Sequence, residues 1–304
     1  MIRTLKIAVC LVGVSLGLSA QKPILPDFHA DPSFHQWDGK YWLYPSTDEA
    51  GSTTWKQMKR WECFSSTNLT DWKNEGEIFG LDKIKWADEA AFAPDAMKWK
   101  GKYYFFFPAG FKIGVAVSDK PNGPFVDALG KPLIEQREVK AVNTFDPCIF
   151  IDDDQRPYLY YGGGNGCAIL PLKDNLIERA ADPVQLPLKG YAEGIWVFKR
   201  KGMYYFTYPN HQQKNGKITQ LLVYSTAPTP YGPFTYRGSF LDNKSRNSHH
   251  SIAKVGDQWY LFYHIQGPSA YERRVCAEYL YFDEEGLIKP VKMTKEGIKP
   301  FPKN

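Results

Sequence analysis

Four carboxylates and a histidine pair stand at comparable places along this 304-residue chain. They are Asp31 in Ala30-Asp31-Pro32-Ser33, Asp95 in Ala93-Pro94-Asp95, Asp146 in Phe145-Asp146-Pro147, Glu193 in Ala192-Glu193-Gly194, and His249-His250. Each precedes an aromatic run by roughly ten residues, a repeat that points to one recurring structural unit. Carboxylates and an imidazole gathered at one point can bind a polar ligand or move protons. Singly, such an acid reads as a turn former or a salt-bridge partner, as Asp38, Asp152, Asp153 and Asp283 do. The case for a site is that five of them recur in register.

The elements that must place them are strands. The aromatic runs are Tyr41-Trp42-Leu43-Tyr44, Tyr103-Tyr104-Phe105-Phe106-Phe107, Tyr158-Leu159-Tyr160-Tyr161, Tyr204-Tyr205-Phe206-Thr207-Tyr208 and Trp259-Tyr260-Leu261-Phe262-Tyr263. Runs of this composition favour the pleated sheet. Four of them follow a glycine turn, for example Asp38-Gly39 and Lys201-Gly202, which is a hairpin signal. The repeats start roughly fifty residues apart, the length of a four-stranded propeller blade. The reading is an all-β, five-bladed β-propeller over residues 21–304, each polar residue opening the innermost strand of its blade. Inner strands of a propeller converge on the axis, so the five polar groups should meet at one end of it. Ile24 to Phe28 is expected to pair with the last blade and close the ring. No amphipathic helical period and no second domain are seen.

Composition bounds the rest. Hydrophobic residues make up 43% and aromatics 15%, enough for a large core. Residues 1–20 have a basic start (Arg3, Lys6), an apolar stretch from Ile7 to Leu18, and small residues before Gln21. This is the pattern of a secretory signal peptide, too short to span a bilayer. It implies a secreted or periplasmic protein without stable membrane insertion. Without that segment the formal charge falls from +5 to +3, and no basic cluster interleaves with aromatics, so nucleic acid is not an expected partner. Cys63, Cys148, Cys167 and Cys276 adjoin apolar runs and read as buried thiols rather than zinc ligands.

In order and spacing, His29-Ala30-Asp31-Pro32-Ser33, Phe92-Ala93-Pro94-Asp95, Phe145-Asp146-Pro147, Glu193-Gly194, His249-His250-Ser251-Ile252 and Arg273-Arg274-Val275 resemble glycoside hydrolase family 43, over residues from about 23 to about 290. The resemblance implies a five-bladed propeller glycosidase. It implies Asp31 as general base, Glu193 as general acid, and Asp146 as the carboxylate that tunes and orients the acid. Asp95 falls in a motif that shapes the sugar pocket, where it either meets substrate or bonds backbone near the axis. Phe92 stands where the family often has Trp, and an aromatic there can still stack on a sugar. Arg273, rather than Arg274, matches an arginine near the sugar. His249, rather than His250, matches a histidine beside a hydrated channel cation, often calcium, of structural use. No organic cofactor is implied.

Glycoside cleavage needs one carboxyl to protonate the departing oxygen and another to deprotonate the attacking water. The two must differ in protonation, so their surroundings must differ. The resemblance implies oligosaccharide or polysaccharide substrates containing arabinose, xylose or galactose, as in plant cell-wall side chains. α-L-Arabinofuranosidase is the first expectation; β-xylosidase, exo-β-galactanase and endo-arabinanase are alternatives. A non-catalytic sugar-binding propeller should lack at least one of the three carboxylates. A retaining invertase-like propeller should carry Asn-Asp-Pro and Glu-Cys, where this chain has Ala30-Asp31-Pro32 and Glu193-Gly194. Carboxylates on the first and fourth blades should be far enough apart to admit a water and invert the anomeric centre.

Overall fold

The structure is a computed structural model. It describes residues 21–302, apart from 165, 215, 216 and 268. The segment read as a signal peptide lies outside the described residues.

Five antiparallel sheets follow one another along the chain. Blade 1 is β1 (His29–Trp37), β2 (Lys40–Thr47), β3 (Arg60–Ser66) and β4 (Lys73–Gly80). Blade 2 is β5 (Asp95–Trp99), β6 (Lys102–Ala109), β7 (Lys112–Ser118) and β8 (Val126–Asp127). Blade 3 is β9 (Cys148–Ile151), β10 (Pro157–Tyr161), β11 (Cys167–Pro171) and β12 (Val184–Leu186). Blade 4 is β13 (Trp196–Arg200), β14 (Met203–Lys214), β15 (Lys217–Ala227) and β16 (Thr235–Leu241). Blade 5 is β17 (His250–Val255), β18 (Gln258–Gln266) and β19 (Arg273–Leu280).

The innermost strands β1, β5, β9, β13 and β17 contact one another in sequence, and β17 returns to β1. This is the expected five-bladed propeller. Its hairpins form because Asp38-Gly39, Lys100-Gly101 and Lys201-Gly202 all take positive φ, the geometry whose twist matches that of the flanking strands. The core lies between blades rather than on the axis. Trp61, Phe79, Phe105 and Phe107 fill the seam of blades 1 and 2. Phe106, Leu159 and Tyr161 fill that of blades 2 and 3. Phe34, Leu43, Phe262 and Val275 join blade 5 to blade 1. The four cysteines are buried and free.

Ring closure differs from the expectation. Residues 24–28 form no strand; Ile24 N–H donates to Val275 O at 2.9 Å as a single bond. Pro23 and Pro26 have no N–H to offer a ladder. The segment instead buries Leu25 in the seam of blades 5 and 1. β1 packs directly on β17, β18 and β19, and the C-terminal segment ties across when Phe301 N–H donates to Asn68 O at 2.8 Å.

Candidate active site

The inner strands reach the axis in a shared register. Counted back from the two-residue hairpin turns, Asp31, Ala93, Gly194 and His249 occupy equivalent positions. Asp31 and Gly194 there have φ of 51° and 60°, and Asp146 has 51° as well. Aspartate and glycine tolerate this left-handed conformation better than most residues, which accounts for the Asp-Pro and Glu-Gly dipeptides at the strand starts. Glu193 is one residue earlier than Gly194. Asp95 is two residues closer to its turn.

That offset removes Asp95 from the site. A step of two residues keeps a side chain on the same face of a strand but moves it along the axis. Asp95 is buried there. Its Oδ1 accepts Ser33 Oγ–H at 2.5 Å, lies 2.8 Å from His35 Nε2 and accepts Ala96 N–H at 2.8 Å, and its Oδ2 accepts Ile149 N–H at 2.7 Å. It clasps the inner strands of blades 1, 2 and 3. Two readings were open from sequence, substrate contact or a structural acid; Asp95 is buried and does not line the cavity where the other predicted residues meet.

The other predicted residues do meet. Asp31, Asp146, Glu193, His249, Arg273 and Phe92 line one cavity of about 310 Å³. Its remaining walls are Thr54, Trp55, Lys56 and Met58 from the loop between β2 and β3, with Ala93, Phe111, Phe145, Asn247 and Ser248. The wall from blades 2 and 3 is aromatic. Phe92 meets Phe111 and Phe145 edge to face, with ring centroids at 5.7 and 6.1 Å. The facing wall is polar.

Asp31 is held as an anion. Arg273 Nη1 donates to its Oδ1 at 2.7 Å and Ser46 Oγ–H to its Oδ2 at 2.5 Å. Burial alone would raise its pKa, but the Arg273 guanidinium, the foremost of the groups that lower it, outweighs burial and leaves it lowered to about 2. His264 Nδ1 accepts the Asp31 backbone N–H at 3.1 Å, and its Nε2 lies 2.9 Å from Asn247 O. The ring is therefore neutral with its proton on Nε2, in agreement with a pKa that burial pushes down to about 3. Its 3.3 Å approach to Asp31 Oδ1 is a neutral contact, not an ion pair.

Glu193 and Asp146 face the opposite problem. Burial raises both; the charges of Glu193 and Asp31 raise Asp146 further, and the charge of Asp31 raises Glu193 further. Each therefore favours its protonated form above the ordinary carboxylate range. Asp146 Oδ2 also accepts Gly194 N–H at 3.1 Å, which anchors the peptide carrying Glu193. The site thus sets one carboxylate favoured as the anion against two favoured in their protonated forms, the division that acid and base roles require.

Arg273 is fixed by more than Asp31. Its Nε and Nη2 both donate to Asp48, at 2.9 and 2.8 Å, and Nη1 donates to Asn247 Oδ1 at 2.8 Å as well as to Asp31. The Trp55 ring covers the guanidinium, with its centroid 4.7 Å away. One Nη2 N–H is left for a ligand. Arg274 lies outside the cavity, over the Phe28 ring. Asp48, Ser46, Trp55, Asn247, Gln220 and His264 escaped the sequence reading. Asn247 alone had a signal, two residues ahead of the histidine motif.

His249 lies in the cavity, while His250 is buried with Nε2 2.7 Å from Thr207 Oγ1. His249 Nδ1 is 4.0 Å from Asp31 Oδ1 and 3.8 Å from Asp146 Oδ2, beyond hydrogen-bond reach. Burial lowers its pKa, so a neutral imidazole faces the carboxylates. Among the described residues no group of three or more His, Cys, Asp or Glu gathers as a metal cage. This donor set fits a cation that keeps its water, not a protein-built calcium site with its many oxygens.

The family model for Glycosyl hydrolases family 43 matches residues 20–298. The chain belongs to this family of glycoside hydrolases. It is 31% identical to a β-xylosidase of Xylanibacter ruminicola, over 88% of this chain and 97% of that one. It is 30% identical to a β-D-galactofuranosidase of Aspergillus niger, over 92% and 87%. Among solved structures, a family 43 β-xylosidase/α-arabinofuranosidase from a compost metagenome, in complex with xylotriose and calcium-free, superposes with a TM-score of 0.78 at 29% identity, covering 89% of this chain and 97% of that one. The family assignment and the propeller expected from the sequence motifs both hold.

Proposed function

We propose that this family 43 hydrolase is an inverting exo-glycosidase that removes a terminal pentose, α-L-arabinofuranosyl or β-xylosyl, from xylan-type oligosaccharides outside the cytoplasm. The observation that carries this reading is that three carboxylates line one small cavity in unlike surroundings: Asp31 is bonded to the Arg273 guanidinium, while Glu193 and Asp146 are buried without a cationic partner among the described residues. At about 310 Å³ the cavity is at the small end of ligand sites, which suits one terminal sugar better than the middle of a chain. Its aromatic wall offers apolar faces to a ring, and its polar wall offers hydrogen bonds to hydroxyls. The relatives named for xylose and arabinose support the pentose. The relative named for galactofuranose leaves a terminal furanosyl unit with one more carbon as the substrate to test against it.

In this mechanism Glu193 gives its proton to the glycosidic oxygen as the bond to the anomeric carbon breaks. Asp31 takes a proton from a water whose oxygen forms the new bond to that carbon. Asp31 Oδ2, which accepts only Ser46 among the described residues, has a lone pair for that proton. Asp31 and Glu193 come from blades 1 and 4, whose inner strands are not neighbours in the ring. Separation of this kind leaves room for water and supports a single displacement. His249 would be the one protein ligand of a hydrated cation, which would supply positive charge near the two aspartates. The test is release of sugar from aryl α-L-arabinofuranoside, β-xyloside, β-D-galactofuranoside and β-galactopyranoside by the purified protein, then from arabinoxylan and xylo-oligosaccharides. Turnover confined to the first two supports the proposal. Turnover confined to either galactoside would replace it, and chain-internal cleavage of arabinan would overturn exo action.

A further inference from the structure

Glu193 Oε1 accepts two amide N–H groups, from Gln220 Nε2 at 2.9 Å and Asn247 Nδ2 at 2.6 Å. Neither amide can turn its oxygen toward Glu193. Gln220 Oε1 already accepts Ser248 N–H at 2.6 Å, and Asn247 Oδ1 accepts Arg273 Nη1. Backbone N–H and guanidinium are donors only, so the orientation of both amides is fixed by chemistry.

We propose that Gln220 is a positioning residue for the general acid: with Asn247 it holds Glu193 Oε1 and so places the catalytic proton on Oε2. A proton on Oε1 would face two donors and have no acceptor. Placed on Oε2, it is transferred to the glycosidic oxygen as the bond to the anomeric carbon breaks. The carboxylate left behind already has two donors on Oε1 to stabilise its new charge. Gln220 reaches this position from the long β14–β15 hairpin and is buried, remote in sequence from the strand-start motifs. The chain Gln220–Glu193–Asn247–Arg273–Asp31 also makes a continuous hydrogen-bonded link between acid and base.

This inference rests on Glu193 as the acid. It is tested with Gln220→Leu, which removes the donor, and Gln220→Glu, which keeps an acceptor for Ser248 N–H but offers Glu193 no amide. Initial rates are measured on a dinitrophenyl glycoside, whose leaving group needs little protonation, and on the matching disaccharide, whose leaving group needs much. General acid catalysis is worth about 10²–10⁴-fold, and loss of positioning should take roughly ten- to a hundredfold of that from kcat on the disaccharide. On the dinitrophenyl glycoside the loss should stay under about threefold, and KM should change little on either substrate, because the sugar contacts are intact. Equal losses on both substrates, unchanged kcat on the disaccharide, or a loss confined to KM would overturn the role of Gln220. If Gln220→Leu does not fold, Gln220→Glu decides alone by the same comparison. If the wild-type protein cleaves neither substrate nor any other glycoside, the functional reading fails instead.

Discussion

Replacing Arg273 with Met should move the acidic limb of the pH–rate profile upward. In the wild-type protein Asp31 is lowered from 3.8 to about 2 although burial opposes this, and Arg273 is the foremost group that lowers it. A depression of roughly two units corresponds to about 2.5 kcal/mol of preference for the ionised form. That stability is present above pH 3.8 and is lost as pH falls toward 2. Without the guanidinium, burial dominates, and Asp31 should titrate at or above its ordinary value. The acidic limb of kcat/KM for an aryl glycoside should therefore rise by at least about two units if Asp31 sets it. The same change leaves Asp48 buried without its fork, which costs about 3–5 kcal/mol, so rates are compared at a temperature where circular dichroism shows the variant folded. Arg273→Lys keeps a charge near Asp31 and should move the limb less. An acidic limb that stays in place in Arg273→Met, in folded protein, would refute the claim that Arg273 keeps the base ionised.

Glu193→Gln should nearly abolish hydrolysis of oligosaccharides yet spare much of the activity on aryl glycosides with acidic leaving groups, read as the ratio of kcat on the two substrates. Asp95→Ala should lower stability by about 1–3 kcal/mol, the cost of orphaning buried donors, as a lower denaturation midpoint with an unchanged KM. Chelator should lower melting temperature or activity, and calcium should restore it; no response, with no metal found by elemental analysis, would leave His249 as a cavity-lining imidazole without a ligand role.

The blades were legible because aromatic hairpins announce themselves locally: Tyr41 to Tyr44 and Tyr204 to Tyr208 each follow a glycine turn that dictates the next strand. Asp31, Asp146, Glu193 and His249 were legible because the starts of inner strands converge on a propeller axis whatever the loops do, while Arg273, which opens the outermost strand of blade 5, was legible only through the family resemblance. The depth of Asp95 was not legible, because a pattern of apolar runs does not show it. Two residues along β5 turn a cavity wall into a clasp between strands. Gln220, Asp48 and Trp55 come from an outer hairpin, a strand end and a loop, where no periodicity marks a residue and only the fold brings it to Glu193 or Arg273. The closing segment failed as a strand for a reason already visible in the sequence, the prolines at 23 and 26.

The most direct test of the central claim, that Asp31 and Glu193 act from opposite sides of a single displacement, is proton NMR of the anomeric signal during the first minutes of hydrolysis, before the sugar mutarotates. The first product is expected to carry the anomeric configuration opposite to that of the substrate. A retained anomer, or a glycosyl adduct trapped on Asp31, would contradict it.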